Sequence, residues 1–132
     1  MRMTFKEFKE MILYKRVVEW KGNTIVLDNG ISIAIEETDQ DCCASADGTF
    51  TNVKLDAVIT DVTEPKYKSW EDADSFGCGA VVKMFHNQNL ICQAEANADA
   101  GNGGYYYSVA SFVVKIPNQK EQIVHFVGSD DQ

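Results

Sequence analysis

Two stretches of this chain combine residue types that can do chemistry. Asp41-Cys42-Cys43 sets adjacent thiols behind a carboxylate, and Gly101-Asn102-Gly103-Gly104-Tyr105-Tyr106-Tyr107 runs glycines into three aromatic hydroxyls. Adjacent cysteines can bind a soft metal, act as a nucleophile, form a disulfide or fill space. Structural zinc sites take ligands from C-x₂₋₄-C knuckles, whose spacing turns two thiolates toward one ion. No such knuckle occurs here, adjacent cysteines in an extended segment point in opposite directions, and neither His86 nor His125 has a ligand partner nearby in sequence. No metal and no cofactor is therefore expected. A catalytic thiolate needs a cation or a helix N-terminus beside it, whereas Glu36, Glu37, Asp39 and Asp41 surround this pair with negative charge. The expectation is structural: one cysteine fills the core as a small apolar side chain while Asp41 caps backbone amides of the loop.

The glycine and tyrosine stretch points to binding. Glycines let a backbone approach a ligand closely and offer its amides, and tyrosine supplies a flat face with a polar tip. If residues 105–107 are extended, Tyr106 faces opposite to Tyr105 and Tyr107, which leaves an aromatic face off the core. Trp70 and Phe76, in an acidic segment, read as a lid over a pocket or as anchors of a loop. The expected ligand-binding residues are thus Gly101 through Tyr107 together with Trp70. Glu71, Asp72, Asp74 and Asp99 do not make a calcium loop, because no bidentate glutamate closes one. There is no H-x-H, HExxH or Walker glycine loop. No catalytic residue is assigned, and the expectation is a protein that is not an enzyme.

The elements that must position these stretches follow from hydrophobic period. Thr4 with Glu7 forms a capping box, and Phe5, Phe8, Met11 and Ile12 recur at helical spacing, which predicts a helix over 4–14. From Arg16 the period becomes two. A Gly22-Asn23 turn and an Asn29-Gly30 hairpin signal give a three-stranded meander ending in ISIAIEE at 31–37. A fourth strand is expected over Ala57 to Val62, with Pro65 at its end or on an edge. Residues 67–79 read as a long loop, 80–86 and 90–96 as a hairpin, 105–116 as the longest strand and 122–127 as a short last one. The fold class is mainly β: a single antiparallel sandwich or partly open barrel over 1–132, with one N-terminal amphipathic helix on a β core at 16–116.

Composition limits the partners. The chain has 132 residues, 45% hydrophobic and 24% charged, with a net charge of −8. That size and balance suit one globular domain. The charge opposes binding that neutralises runs of phosphate, so neither duplex nucleic acid nor an anionic membrane is an expected partner. The N-terminus lacks the apolar core of a signal peptide, and a reducing cytoplasm keeping Cys42, Cys43, Cys78 and Cys92 as thiols is the expected setting.

The pattern from YKRVVEWKGNTIVLDNGISIAIEE through DCCA, DAVITDV and GNGGYYYSVASFVV, residues 13 to 115, resembles a family of small uncharacterised proteins common in tailed-phage genomes. Its most specific marks are Asp41 to Cys43, Ile59 to Val62 and Gly101 to Tyr106. The resemblance implies a viral origin and a place in the host cytoplasm, but no activity. The functional expectation is a counter-defence sponge, a homo-oligomer that sequesters a nucleotide-derived immune signal of the cyclic dinucleotide or cyclic ADP-ribose type without cleaving it. One alternative is an acidic inhibitor directed at a host defence protein, whose surface would mimic a polyanion. A small hydrolase is a second alternative.

Overall fold

A computed structural model of the chain describes residues 2–71, 76–101 and 106–131. The capping box forms as the sequence predicts: the Thr4 amide donates to Glu7 Oε1 at 3.0 Å and the Glu7 amide to Thr4 Oγ1 at 3.1 Å. The helix, α1 (Phe5–Ile12), is shorter than the 4–14 expected. It stops because Tyr14 takes a φ of +67° and sends its amide to the Ile59 carbonyl at 2.7 Å. Phe8 and Ile12, one turn apart, are fully buried.

Among the described residues ten strands follow: β1 (Val17–Lys21), β2 (Thr24–Leu27), β3 (Ser32–Gln40), β4 (Ser45–Thr51), β5 (Asp61–Val62), β6 (Lys66–Glu71), β7 (Phe76–His86), β8 (Asn89–Asp99), β9 (Ser108–Lys115) and β10 (Gln122–Gly128). They form two antiparallel sheets, ordered β1-β2-β3-β9-β10 and β4-β8-β7-β5, with β6 also on β7. The fold is a two-sheet sandwich, not a closed barrel. The meander, the 80s–90s hairpin and the last strand stand where periodicity put them, but the strand expected over 105–116 as the longest is β9, eight residues from Ser108, and β7 and β8 with eleven each are longer.

Three expectations are corrected. Residues 45–51 are a full strand pairing β8 from Ser45↔Asp99 to Thr51↔Gln93, where the sequence reads as loop. Its alternation is masked by small and polar residues, and only Ala46 and Phe50 mark the buried side. The expected strand at 57–62 shrinks to the two residues of β5 and an isolated bridge between Val58 and Arg16. The expected loop over 67–79 is largely β6 and the start of β7, and Pro65 separates β5 from β6, which both pair with β7 on the edge away from β8.

The two inner faces complement each other in volume. β3, β9 and β10 present Ile33, Ile35, Phe112, Val114, Val124 and Phe126, while β7 and β8 answer with Cys78, Ala80, Ala94, Ala96 and Ala98. Phe112 stacks between Phe8 at 4.7 Å and Phe126 at 4.4 Å. The alanines leave room for those rings, as dense interior packing requires.

Candidate functional site

Strand direction gathers the chemistry-bearing segments at one end of the sandwich. β3 runs out at Gln40 and β4 begins at Ser45, so residues 41–44 turn between the sheets there. β8 ends at Asp99, and β6, β7, β9 and β10 end or begin at Glu71, Phe76, Ser108 and Gly128 on the same rim.

Ser108, fully buried, ties that rim together. Its hydroxyl lies within donating distance of the carbonyls of Ser45, at 2.9 Å, and Asp99, at 2.7 Å, linking β9 of one sheet to β4 and β8 of the other. Its amide donates to Ser129 Oγ at 3.2 Å. The flanking chain is fastened as closely. The Asp41 amide donates to the Tyr107 carbonyl at 2.7 Å, Tyr106 to the Ala100 carbonyl at 2.8 Å, Ala100 to the Phe76 carbonyl at 2.8 Å, and Gly101 to the Asp99 carboxylate.

The two sequence motifs are therefore in contact. Gly101 has a φ of +73°, and a β-carbon there would lie 2.7 Å from Tyr106 Cδ2 and 2.8 Å from the Cys43 carbonyl oxygen. Only glycine fits this position. The Tyr106 phenol sits by the Cys43 thiol, whose charge on ionising and whose hydrogen bond hold the phenol above its ordinary pKa. Tyr106 and Tyr107 are half-buried and precede the strand, which starts at Ser108, so strict alternation does not govern them. Burial, with Asp130 and Asp131 nearby, raises Tyr107. Asn102, Gly103, Gly104 and Tyr105 lie outside the described residues, as do Asp72 and Asp74.

The cysteines differ from expectation. Cys42 and Cys43 are both exposed, and the buried cysteines are Cys78 and Cys92. The adjacent pair does not point apart: Cys43 takes a φ of +78°, which turns the chain so that the two sulfurs stand 2.8 Å apart. The hydrogen bond to Cys43 is the main cause raising Cys42, with the charges of Cys43 and Asp41 adding to it. Asp41 enters this turn through its backbone, accepting from the Ala44 amide at 3.3 Å. His125 has a partner the sequence did not show, Asp131 Oδ2 at 2.7 Å, which also accepts the Gly128 amide at 2.6 Å. Among the described residues no group of three or more histidine, cysteine or carboxylate side chains is placed to hold a metal ion.

Trp70 is on β6, not in a loop, at the position paired with Gly77. Its six-membered ring fills the place of a Gly77 side chain, since a β-carbon there would fall 2.3 Å from Trp70 Cζ2. Register then defines a trough across the outer face of the second sheet. One row is Ser45, Asp99, Gly77 and Trp70, and the next is Asp47, Asn97, Gly79 and Lys68. A hollow of about 430 Å³ borders Lys66, Lys68, Trp70, Gly79, Glu95 and Asn97. A second, of about 380 Å³, borders Ser45, Asp47, Trp70, Asn97 and Asp99. Trp70 and Asn97 belong to both, so the two form one groove: glycine floor, indole wall, lysines on one side and carboxylates with an amide on the other. Sequence reading singled out Trp70 but missed Lys66, Lys68, Asp47 and Asn97, whose signal was period-two spacing inside segments without apolar alternation.

A larger hollow of about 810 Å³ lies along β1, beside Trp20 and Leu55, which are exposed. Glu19, Lys21, Asn23 and Thr24 also line it, and it contains no residue of either motif. The groove at Trp70 has the mixture of flat apolar and aimed polar groups that small ligands require. The sequence model of a family described as a domain of unknown function, DUF7448, matches residues 10–113. No curated protein and no solved structure matches the chain.

Proposed function

We propose that this chain, which belongs to the DUF7448 family, is a non-catalytic binding protein that sequesters a nucleotide-derived signal. The finer reading is a phage protein acting in the host cytoplasm on a defence messenger of the cyclic dinucleotide or cyclic ADP-ribose type. One observation carries it: the Trp70 ring over Gly77 beside Lys66 and Lys68, with Asn97, Asp47 and Asp99 opposite. A base stacks on an indole, a phosphate pairs with lysine, and exocyclic amines and ribose hydroxyls donate to carboxylate and amide oxygens. Gly101 adjoins this groove through Asp99, which holds its amide. The exposed Trp20 and Leu55 beside edge strand β1 favour a homo-oligomer, because a symmetric copy covers such an edge.

A thermal-shift screen against cyclic dinucleotides and ADP-ribose derivatives tests the proposal. A ligand at one hundred times its Kd stabilises the fold by about 2.7 kcal/mol. Trp70→Ala should weaken binding by about 1–3 kcal/mol, the range for base–aromatic stacking, and Tyr106→Ala measures the part played by the 101–107 segment. Ligand recovered intact after heat denaturation fits sequestration, and a cleaved product makes the protein a hydrolase. If no nucleotide shifts the melting temperature, the sponge reading fails.

The rival is a protein-directed inhibitor. Asp39, Asp41, Glu71 and Asp130 are exposed on the rim, and the chain carries −8 overall. A negative end of this kind steers basic targets, and its complexes weaken with salt.

A further inference from the structure

The turn at 41–44 holds two thiols in a way that neither packing nor the groove requires. Cys42 and Cys43 are exposed, and their sulfurs are 2.8 Å apart. The turn is closed from several sides: Asp41 N–H to the Tyr107 carbonyl at 2.7 Å, Ala44 N–H to the Asp41 carbonyl at 3.3 Å, and Gln40 Nε2 to the Ala44 carbonyl at 2.6 Å. Cys43 keeps its left-handed φ of +78° without being glycine, a conformation that persists only where the surroundings enforce it.

We propose that Cys42 and Cys43 are a reversible oxidation site that closes to a disulfide between adjacent residues by exchange with a low-molecular-weight disulfide. One thiolate of the pair attacks a sulfur of the small disulfide, forming a mixed disulfide and releasing one small thiolate. The other cysteine then attacks the protein sulfur of that mixed disulfide and expels the second small thiolate. Two protein thiols are oxidised, one small disulfide is reduced to two thiols, and the two cysteine protons end on those thiols. The sulfurs must close from 2.8 Å to about 2.0 Å, and the pair is already turned to one side. Neighbouring α-carbons stand about 3.8 Å apart across a trans peptide, shorter than the usual disulfide span of about 4.4–6.8 Å. The bridge is consequently strained and readily reopened, the property of regulatory rather than structural disulfides.

Closure also reports to the neighbouring segment. The Tyr106 phenol sits by the Cys43 thiol, and the Cys43 carbonyl lies against Gly101, so a change at the pair takes place in contact with both.

The full-length native protein, incubated with oxidised glutathione and then alkylated, should lose two alkylatable thiols. Its intact mass should fall by two hydrogens, with the change on the peptide that carries both cysteines, and dithiothreitol should restore it. Cys78 and Cys92 are buried and serve as internal controls that stay unmodified in the folded protein. Cys42→Ser and Cys43→Ser each remove one exposed sulfur, and each should stop at a persistent glutathione adduct on the remaining cysteine. A wild-type protein that accumulates the same adduct, or that keeps both thiols alkylatable, overturns the proposal.

Discussion

Replacing Ser108 by alanine removes one oxygen from the point where the two sheets meet. The hydroxyl has one proton and two carbonyls within reach, Ser45 at 2.9 Å and Asp99 at 2.7 Å. A single intramolecular hydrogen bond contributes about 0.5–1.5 kcal/mol net, and a buried acceptor left without a partner costs about 1–3 kcal/mol. Ser108 is fully buried, so water does not replace the lost donor without opening the rim. The expected loss is about 2 kcal/mol. At about 2.1 cal/mol/K of unfolding entropy per residue, a chain of this length then melts about 7 °C lower. Urea denaturation followed by tryptophan fluorescence measures the loss, with an unchanged m-value showing that the denatured state is unaltered. Ser129→Ala is the milder control, because it removes only an acceptor of the Ser108 amide at 3.2 Å. Ser108→Ala with stability within about 0.5 kcal/mol of wild type, the range of ordinary surface changes, would refute the bridging role.

Gly48→Ala should destabilise by about 1–3 kcal/mol by overpacking, since its β-carbon would fall 2.4 Å from Ile35 Cγ2 and 2.7 Å from the Glu95 carbonyl. Gly79→Ala meets chiefly the tip of the Asn97 side chain, at 2.8 Å. It should leave the denaturation midpoint near wild type while raising the floor of the groove and weakening any ligand bound there. Thr4→Ala breaks the capping box and should cost about 0.5–2 kcal/mol by the same assay. Burial pushes the Cys92 thiol from an ordinary value near 9 up to about 12. Folding therefore favours its protonated form, and that stability, fully present below the unfolded pKa, is lost as pH rises from about 9 toward 12, at about 1.4 kcal/mol per unit. Cys92→Val should flatten the fall by that amount between about pH 10 and 11, and parallel curves for the two proteins would count against this origin.

The sequence showed those parts of the fold where apolar period and turn chemistry coincide. Thr4 with Glu7, Asn29-Gly30 and the alternation in 80–96 each correspond to a real element. Strand β4 escaped notice because its outward positions, Ser45, Asp47 and Thr49, and its inward Gly48 resemble loop composition. That glycine is there because Ile35 of the opposite sheet needs the space, a tertiary reason invisible along the chain. The groove was legible only as Trp70, for its other walls are contributed by separate strands and meet through register. The Cys pair was seen, but its geometry was not, since one positive φ at Cys43 reverses the outcome expected of an extended segment.

The span of the family match separates closure from site. Residues 10–113 contain the 41–44 turn, the whole trough of β4, β8, β7 and β6, and the 101–107 segment. They leave out most of α1 and all of β10, the elements that supply Phe8 and Phe126 to either side of Phe112. The matched region thus holds both motifs in contact through Gly101 and Cys43, while the two flanking elements cover the central ring of the core. Stacked aromatic pairs contribute about 0.5–1.5 kcal/mol beyond burial. Phe8 and Phe126 therefore have their effect on stability, through the ring they enclose. Changes at Phe8 should lower the melting temperature without selecting among ligands, whereas changes at Gly79 should weaken ligand binding with little change in melting temperature.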